Sequence, residues 1–113
     1  MKLKHRVKSN QDFQTIIQRG ITLKNKMFVC HFLSTDRDYV RVGIAVSKKR
    51  GNAVKRNLIK RQIRAICQTN IDLTQNFDLI IIARDDYDPH QYAAMEGAFI
   101  KLMTTFERNL HDK

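Results

Sequence analysis

The sequence predicts an α+β fold, a two-layer sandwich in the order helix, strand, strand, helix, strand, helix around a small mixed sheet. Three observations predict it. Residues 26–34 and 40–47 read as strands with a two-residue period, the second alternating bulky with mostly small side chains, and residues 77–83 form a short, almost unbroken apolar run. Residues 10–20, 53–69 and 91–109 repeat apolar positions at three- and four-residue spacing, the period of helices. The middle helix falls between the second and third strands, so those strands pair in parallel around a βαβ crossover. With 113 residues there is enough chain for one core and too little for two, and residues 1–113 read as a single domain.

Residues 1–8 alternate basic and apolar side chains without a helix start and read as an extended arm that can pair at a sheet edge. Ser9 and Asn10 offer caps for a first helix with Phe13, Ile16 and Ile17 on one face, closed by Gly20. About ten residues cannot hold a helix alone, so this one must dock. In the first strand Phe28, Cys30 and Phe32 point one way and Val29, His31 and Leu33 the other. Ser34 to Asp38 reads as a hairpin loop into the second strand, where Val40, Val42, Ile44 and Val46 form a bulky face. The opposite face, Arg41, Gly43, Ala45 and Ser47, is a lane of small residues that leaves room for a groove. The third strand is nearly continuously apolar at its centre and therefore internal. In the last helix Tyr92, Met95, Phe99, Leu102, Met103 and Phe106 make a core stripe.

Charge is placed rather than spread. The net charge is +10, and residues 47–64, SKKRGNAVKRNLIKRQIR, hold eight Lys or Arg and no acid. Gly51-Asn52 is a breaker followed by an N-cap. Beyond it, at about 100° per residue, Val54, Leu58, Ile59, Ile63, Ala65 and Ile66 share one face, with Arg56, Asn57, Lys60, Arg61 and Arg64 opposite. A solvated helix mixes signs in i,i+4 pairs, whereas Arg56, Lys60 and Arg64 repel one another at that spacing. Forked donors and point charges on one rigid element suit a line of phosphates.

The string KKRGNAVKRNLIKRQIR resembles the signature of the bacterial ribonuclease P protein component, the small partner of a catalytic RNA. Gly51 to Val54, Arg56-Asn57, Lys60-Arg61 and Arg64 carry the resemblance. The basic arm with Phe13, the VGIAVSKK strand and the strand ending IIIAR extend it over most of the chain. The resemblance implies a left-handed crossover, where the physical default is right-handed. It implies endonucleolytic removal of the 5′ leader of precursor tRNA, performed by the RNA subunit with bound magnesium ions and by no side chain of this protein. Lys48, Lys49, Asn52, Arg56, Asn57, Lys60, Arg61 and Arg64 are then expected to meet the catalytic RNA. Phe13, Ile17, Val29 and His31, with Gly43 and Ala45 at the floor, are expected to line the leader cleft, which suits single-stranded RNA stacking on aromatic groups. Ile17, His31 and Ala65 depart from the pattern, standing where an aromatic, an aromatic hydroxyl and an acid are common.

Other chemistries find less support. Asp85, Asp86 and Asp88 suggest a metal site, but acidic loop residues before a helix also act as caps, and no second carboxylate cluster completes a two-metal centre. His5, His31, His90 and His111 lack metal-ligand spacing, and there is no phosphate-binding GxxxxGK[ST] loop. Cys30 and Cys67 read as buried free thiols. No segment reads as a signal or membrane span, so a cytoplasmic protein is expected, with ribonuclease P RNA and precursor tRNA as partners and neither membrane nor DNA. The competing reading is a non-catalytic RNA-binding protein of the ribosomal type, with the same basic helix and no leader cleft. A DNA-binding helix module fits poorly, because no second helix precedes the basic one at helix-turn-helix spacing.

Overall fold

The computed structural model describes the backbone of residues 2–111 and side chains as far as Asn109. Met1 of the arm, residues 112–113 of the expected domain and the His111 side chain lie outside the described residues. The elements are α1 (Asn10–Arg19), β1 (Ile21–Lys24), β2 (Phe28–Ser34), β3 (Arg41–Val46), α2 (Ala53–Asn70), β4 (Phe77–Ala83) and α3 (Tyr92–His111). The α+β class and the mixed sheet are as expected, with one strand more than the sequence suggested. β1 has only four residues with little burial, so it carried no alternation to read. Asn25 turns it back into β2, its Oδ1 accepting from Met27 N at 3.0 Å and Phe28 N at 2.9 Å.

The sheet order is β1-β2-β4-β3, which overturns the expected β2–β3 hairpin. β4 inserts between them, antiparallel to β2 and parallel to β3. Its nearly unbroken apolar run suits a central position, where neighbours pair both edges and helices cover both faces. The arm also differs from expectation: Leu3–His5 is a single 3-10 turn, and only then does Arg6 bridge Val42 in parallel. His5 Nδ1 hydrogen-bonds Val40 O at 2.7 Å, fastening the arm to the sheet.

The main core is the sheet against α2 and α3. Phe28, Cys30, Phe32, Val42, Leu79 and Ile81 face Ile59, Ile63, Ile66, Phe99 and Phe106 there. Phe32 stacks on Phe106 with centroids 4.0 Å apart. Burying each such side chain contributes about 1.5–3 kcal/mol. Tyr92, expected in the α3 stripe, is instead exposed. α1 covers the other face with a smaller cluster of Val7, Ile16 and Ile80, joined by Phe13, Ile17, Leu33 and Ile82. Ser9 caps α1 by accepting from Asp12 N at 3.0 Å. Gly20 ends it with an ordinary φ of −79°. Glycine is needed there for space: a Cβ would stand 2.6 Å from Ile16 O and 2.8 Å from Phe32 O.

Candidate nucleic-acid interface

The basic segment begins with Ser47, whose side chain accepts from Lys49 N at 3.2 Å and opens a 3-10 turn over Lys48–Arg50. Lys48 and Lys49 are exposed, while Arg50 is spent on the fold, donating to the carbonyls of Asp85 and Tyr87. Gly51 has φ 119°, a conformation that favours glycine. Asn52 caps α2, its Oδ1 accepting from Lys55 N at 3.0 Å, so the amide assigned to RNA already has a structural task.

α2 carries Arg56, Asn57, Lys60, Arg61 and Arg64 as expected, but turned relative to the core. Ile59, Ile63, Ile66 and Cys67 are its buried residues. Their mean direction lies roughly 75° from the middle of the expected apolar arc, counted at 100° per residue. Val54 and Ala65 therefore face solvent and Leu58 is half-buried, which corrects their assignment to the core face. Arg56 and Lys60 move to the margin of the core, half-buried, as long stems with charged ends can be. Asn57 and Arg61 are exposed and Arg64 half-buried. Among the described residues the ion pairs join Arg37 and Arg41 to Asp78, and Arg41 to Asp12, so the α2 cations are not neutralised within the fold. Among the described residues the Nε atoms of Arg6, Arg37 and Arg56 are buried without a hydrogen-bond partner.

The second candidate surface is the α1 side of the sheet. Strand register arranges it in rows: Leu33, Asp78, Arg41; then Thr22, His31, Ile80, Gly43; then Lys24, Val29, Ile82, Ala45. Phe13 alone of the six phenylalanines is outside the main core, and its ring lies over Gly43. The small lane thus divides. Gly43 is buried beneath Phe13, while Ala45 stays half-exposed. His31 is buried, paired with Thr22 Oγ1 at 2.9 Å. Burial lowers its pKa from the ordinary 6.5. Ile17 packs against the small cluster. The outermost row remains half-open at Val29, Ile82 and Ala45, with Lys24 exposed at its end. It spans three strand spacings, about 14 Å.

Sequence reasoning missed Ile82, the middle of that row; alternation through Asp78, Ile80 and Ile82 was the available signal. It also missed Arg6, which lines a pocket of about 160 Å³ with Val7, Phe13, Val42, Gly43, Ile44 and Arg64. Arg64 lines in addition a concavity on α2, so it stands where the two candidate surfaces meet.

The loop carboxylates are dispersed. Asp85 and Asp86 are exposed, and Asp88 Oδ1 accepts from His90 N at 2.9 Å. Among the described residues no three His, Cys, Asp or Glu converge to hold a metal ion. No helix among them is long and apolar enough to cross a membrane. Cys30 and Cys67 are buried and unpaired, their pKa values raised by burial.

Residues 1–107 match the family model described as Ribonuclease P. A ribonuclease P protein component of Streptococcus agalactiae is 43% identical over 103 residues, which cover 91% of this chain and 94% of that one. The structure of the Staphylococcus aureus RNase P protein aligns with a TM-score of 0.78 at 35% identity, covering 89% of this chain and 94% of that one. The RNase P protein from Thermotoga maritima aligns with a TM-score of 0.70 at 30% identity, covering 89% and 93% respectively.

Proposed function

This chain belongs to the ribonuclease P protein family, and from that premise we propose that it is the protein subunit of a bacterial ribonuclease P, acting in tRNA 5′ maturation. Family membership favours this over the ribosomal-type reading. α2 and the Lys48–Asn52 segment bind the catalytic RNA. Phe13, Ile17 and the outer sheet row of Val29, Ile82 and Ala45 hold the 5′ leader of precursor tRNA, with His31 and Gly43 forming the supporting layer beneath.

The observation that carries this reading is the position of Arg64, shared by the pocket at Phe13 and Gly43 and by the basic face of α2. One domain can then touch two RNA segments at once. Each phosphate neutralised by a Lys or Arg releases counterions, so affinity falls steeply with salt. The protein's contribution is electrostatic and positional: its cations offset repulsion between two RNAs, and its leader surface favours precursor over mature tRNA. Magnesium ions on the RNA subunit supply the hydrolytic chemistry. The cytoplasm is the compartment where this reaction is expected.

The test is precursor-tRNA cleavage by a bacterial ribonuclease P RNA at low magnesium, with and without this protein. The expected result is protein-dependent release of the leader and none from the protein alone. No stimulation across several such RNAs would contradict the proposal.

A further inference from the structure

The turn of α2 about its axis leaves something unexplained by phosphate binding. Val54 is 76% exposed in a helix otherwise suited to polyanions. With Leu58 one turn on, it floors a concavity of about 570 Å³ whose rim is Lys55, Asn57, Arg61 and Arg64. At 100° per residue, Val54 and Leu58 lie within roughly 40° of each other, with Arg61 on one flank and Lys55 on the other. An apolar floor between cations is chemically different from a basic stripe.

Resting on the reading of α2 as an RNA-binding helix, we propose that Val54 and Leu58 seat one unpaired nucleobase of the ribonuclease P RNA. A splayed nucleotide presents an apolar base face and an anionic backbone within a single residue, which matches this floor and rim. Base-paired RNA hides its base faces and gives such a floor nothing to cover. A second copy of the chain fits poorly, because a two-fold contact here would set Lys55, Arg61 and Arg64 against themselves. The assignment adds a shape-selective component to binding that is otherwise electrostatic.

Val54→Ser and Arg61→Ala separate the two components when binding to a ribonuclease P RNA transcript is titrated over a range of salt. Val54 takes no part in the core, so Val54→Ser keeps the wild-type melting temperature. Its affinity falls about fivefold with an unchanged salt slope, since only apolar contact is lost. Arg61→Ala lowers the slope by about one. A photoreactive group on Val54→Cys, selective because Cys30 and Cys67 are buried, attaches to an unpaired nucleotide. Wild-type affinity in Val54→Ser, with Arg61→Ala weakened, overturns the nucleobase seat and leaves the proposed function standing. Attachment only within paired RNA, or a wild-type dimer that Val54→Ser dissociates, also overturns it. Wild-type binding by both variants removes α2 from the interface, and the two readings fail together.

Discussion

The Phe13 ring lies so close over Gly43 that a Cβ built on the glycine would stand 2.6 Å from Phe13 Cζ, and 2.6 Å from Ile80 Cδ1. This contact fixes the height of α1 above the sheet and so the shape of the candidate leader surface. Gly43→Ala is expected to displace the ring and to cost about 1–2 kcal/mol of stability, the usual penalty for overpacking. Urea denaturation reads the loss. Precursor-tRNA affinity should fall in the same variant, because the aromatic ring has moved.

Asp78 is buried between Arg37 and Arg41, and Arg41 continues to Asp12 on α1. Burial pushes the carboxyl up, but the hydrogen bonds from Arg41 and Arg37 outweigh it and hold the pKa below 3.8. The pair's stabilisation is therefore present above pH 3.8 and lost as pH falls through the lower, folded value. Asp78→Asn leaves two guanidinium groups facing a neutral amide and is expected to cost about 3 kcal/mol at neutral pH. Thermal melts across the acid range should show the wild-type loss and a flatter profile for the variant.

His31 gives a second pH dependence. Its folded pKa is lowered by burial, so the fold favours the neutral ring. Stability is full above 6.5 and declines as pH falls from there toward the folded value. Melting temperatures at successive pH values should decline over this interval, and His31→Gln should flatten the decline. An unchanged slope in the variant would assign it to another group.

Cys30 and Cys67 are buried thiols with raised pKa values. Thiolate is the reactive form, so a disulfide reagent should modify neither in the native protein and both after denaturation. Fast labelling under native conditions would show that the main core opens readily.

Much of this molecule is legible in its sequence, for physical reasons. The like-charge spacing of Arg56, Lys60 and Arg64 has no internal remedy, so it announced an external partner. Face assignments in β2 and β3 followed from a strict two-residue period, and Phe13 was identifiable as an aromatic outside the alternating strands. Sheet order was less legible. Sequence neighbours usually pair, and β4's preference for the centre competes with that rule without declaring which prevails. The rotation of α2 was hidden because Val54, Leu58 and Ala65 extend the apolar arc. Only packing decides that the core takes Ile59, Ile63, Ile66 and Cys67 instead. The lane through Gly43 and Ala45 showed small residues, but not that Phe13 fills one position and leaves the other half-open.

Whether one domain serves two RNA segments is tested most directly by comparing Phe13→Ala with Arg61→Ala in the reconstituted holoenzyme. Affinity for the catalytic RNA, for precursor tRNA and for mature tRNA is measured in each. Phe13→Ala should weaken precursor binding about tenfold, the loss expected for one stacked base, while assembly and mature-tRNA binding stay as in the wild type. Arg61→Ala should weaken assembly and lower its salt slope by about one, with precursor preference retained once the complex is saturated. Identical behaviour of the two variants would contradict the existence of separate surfaces.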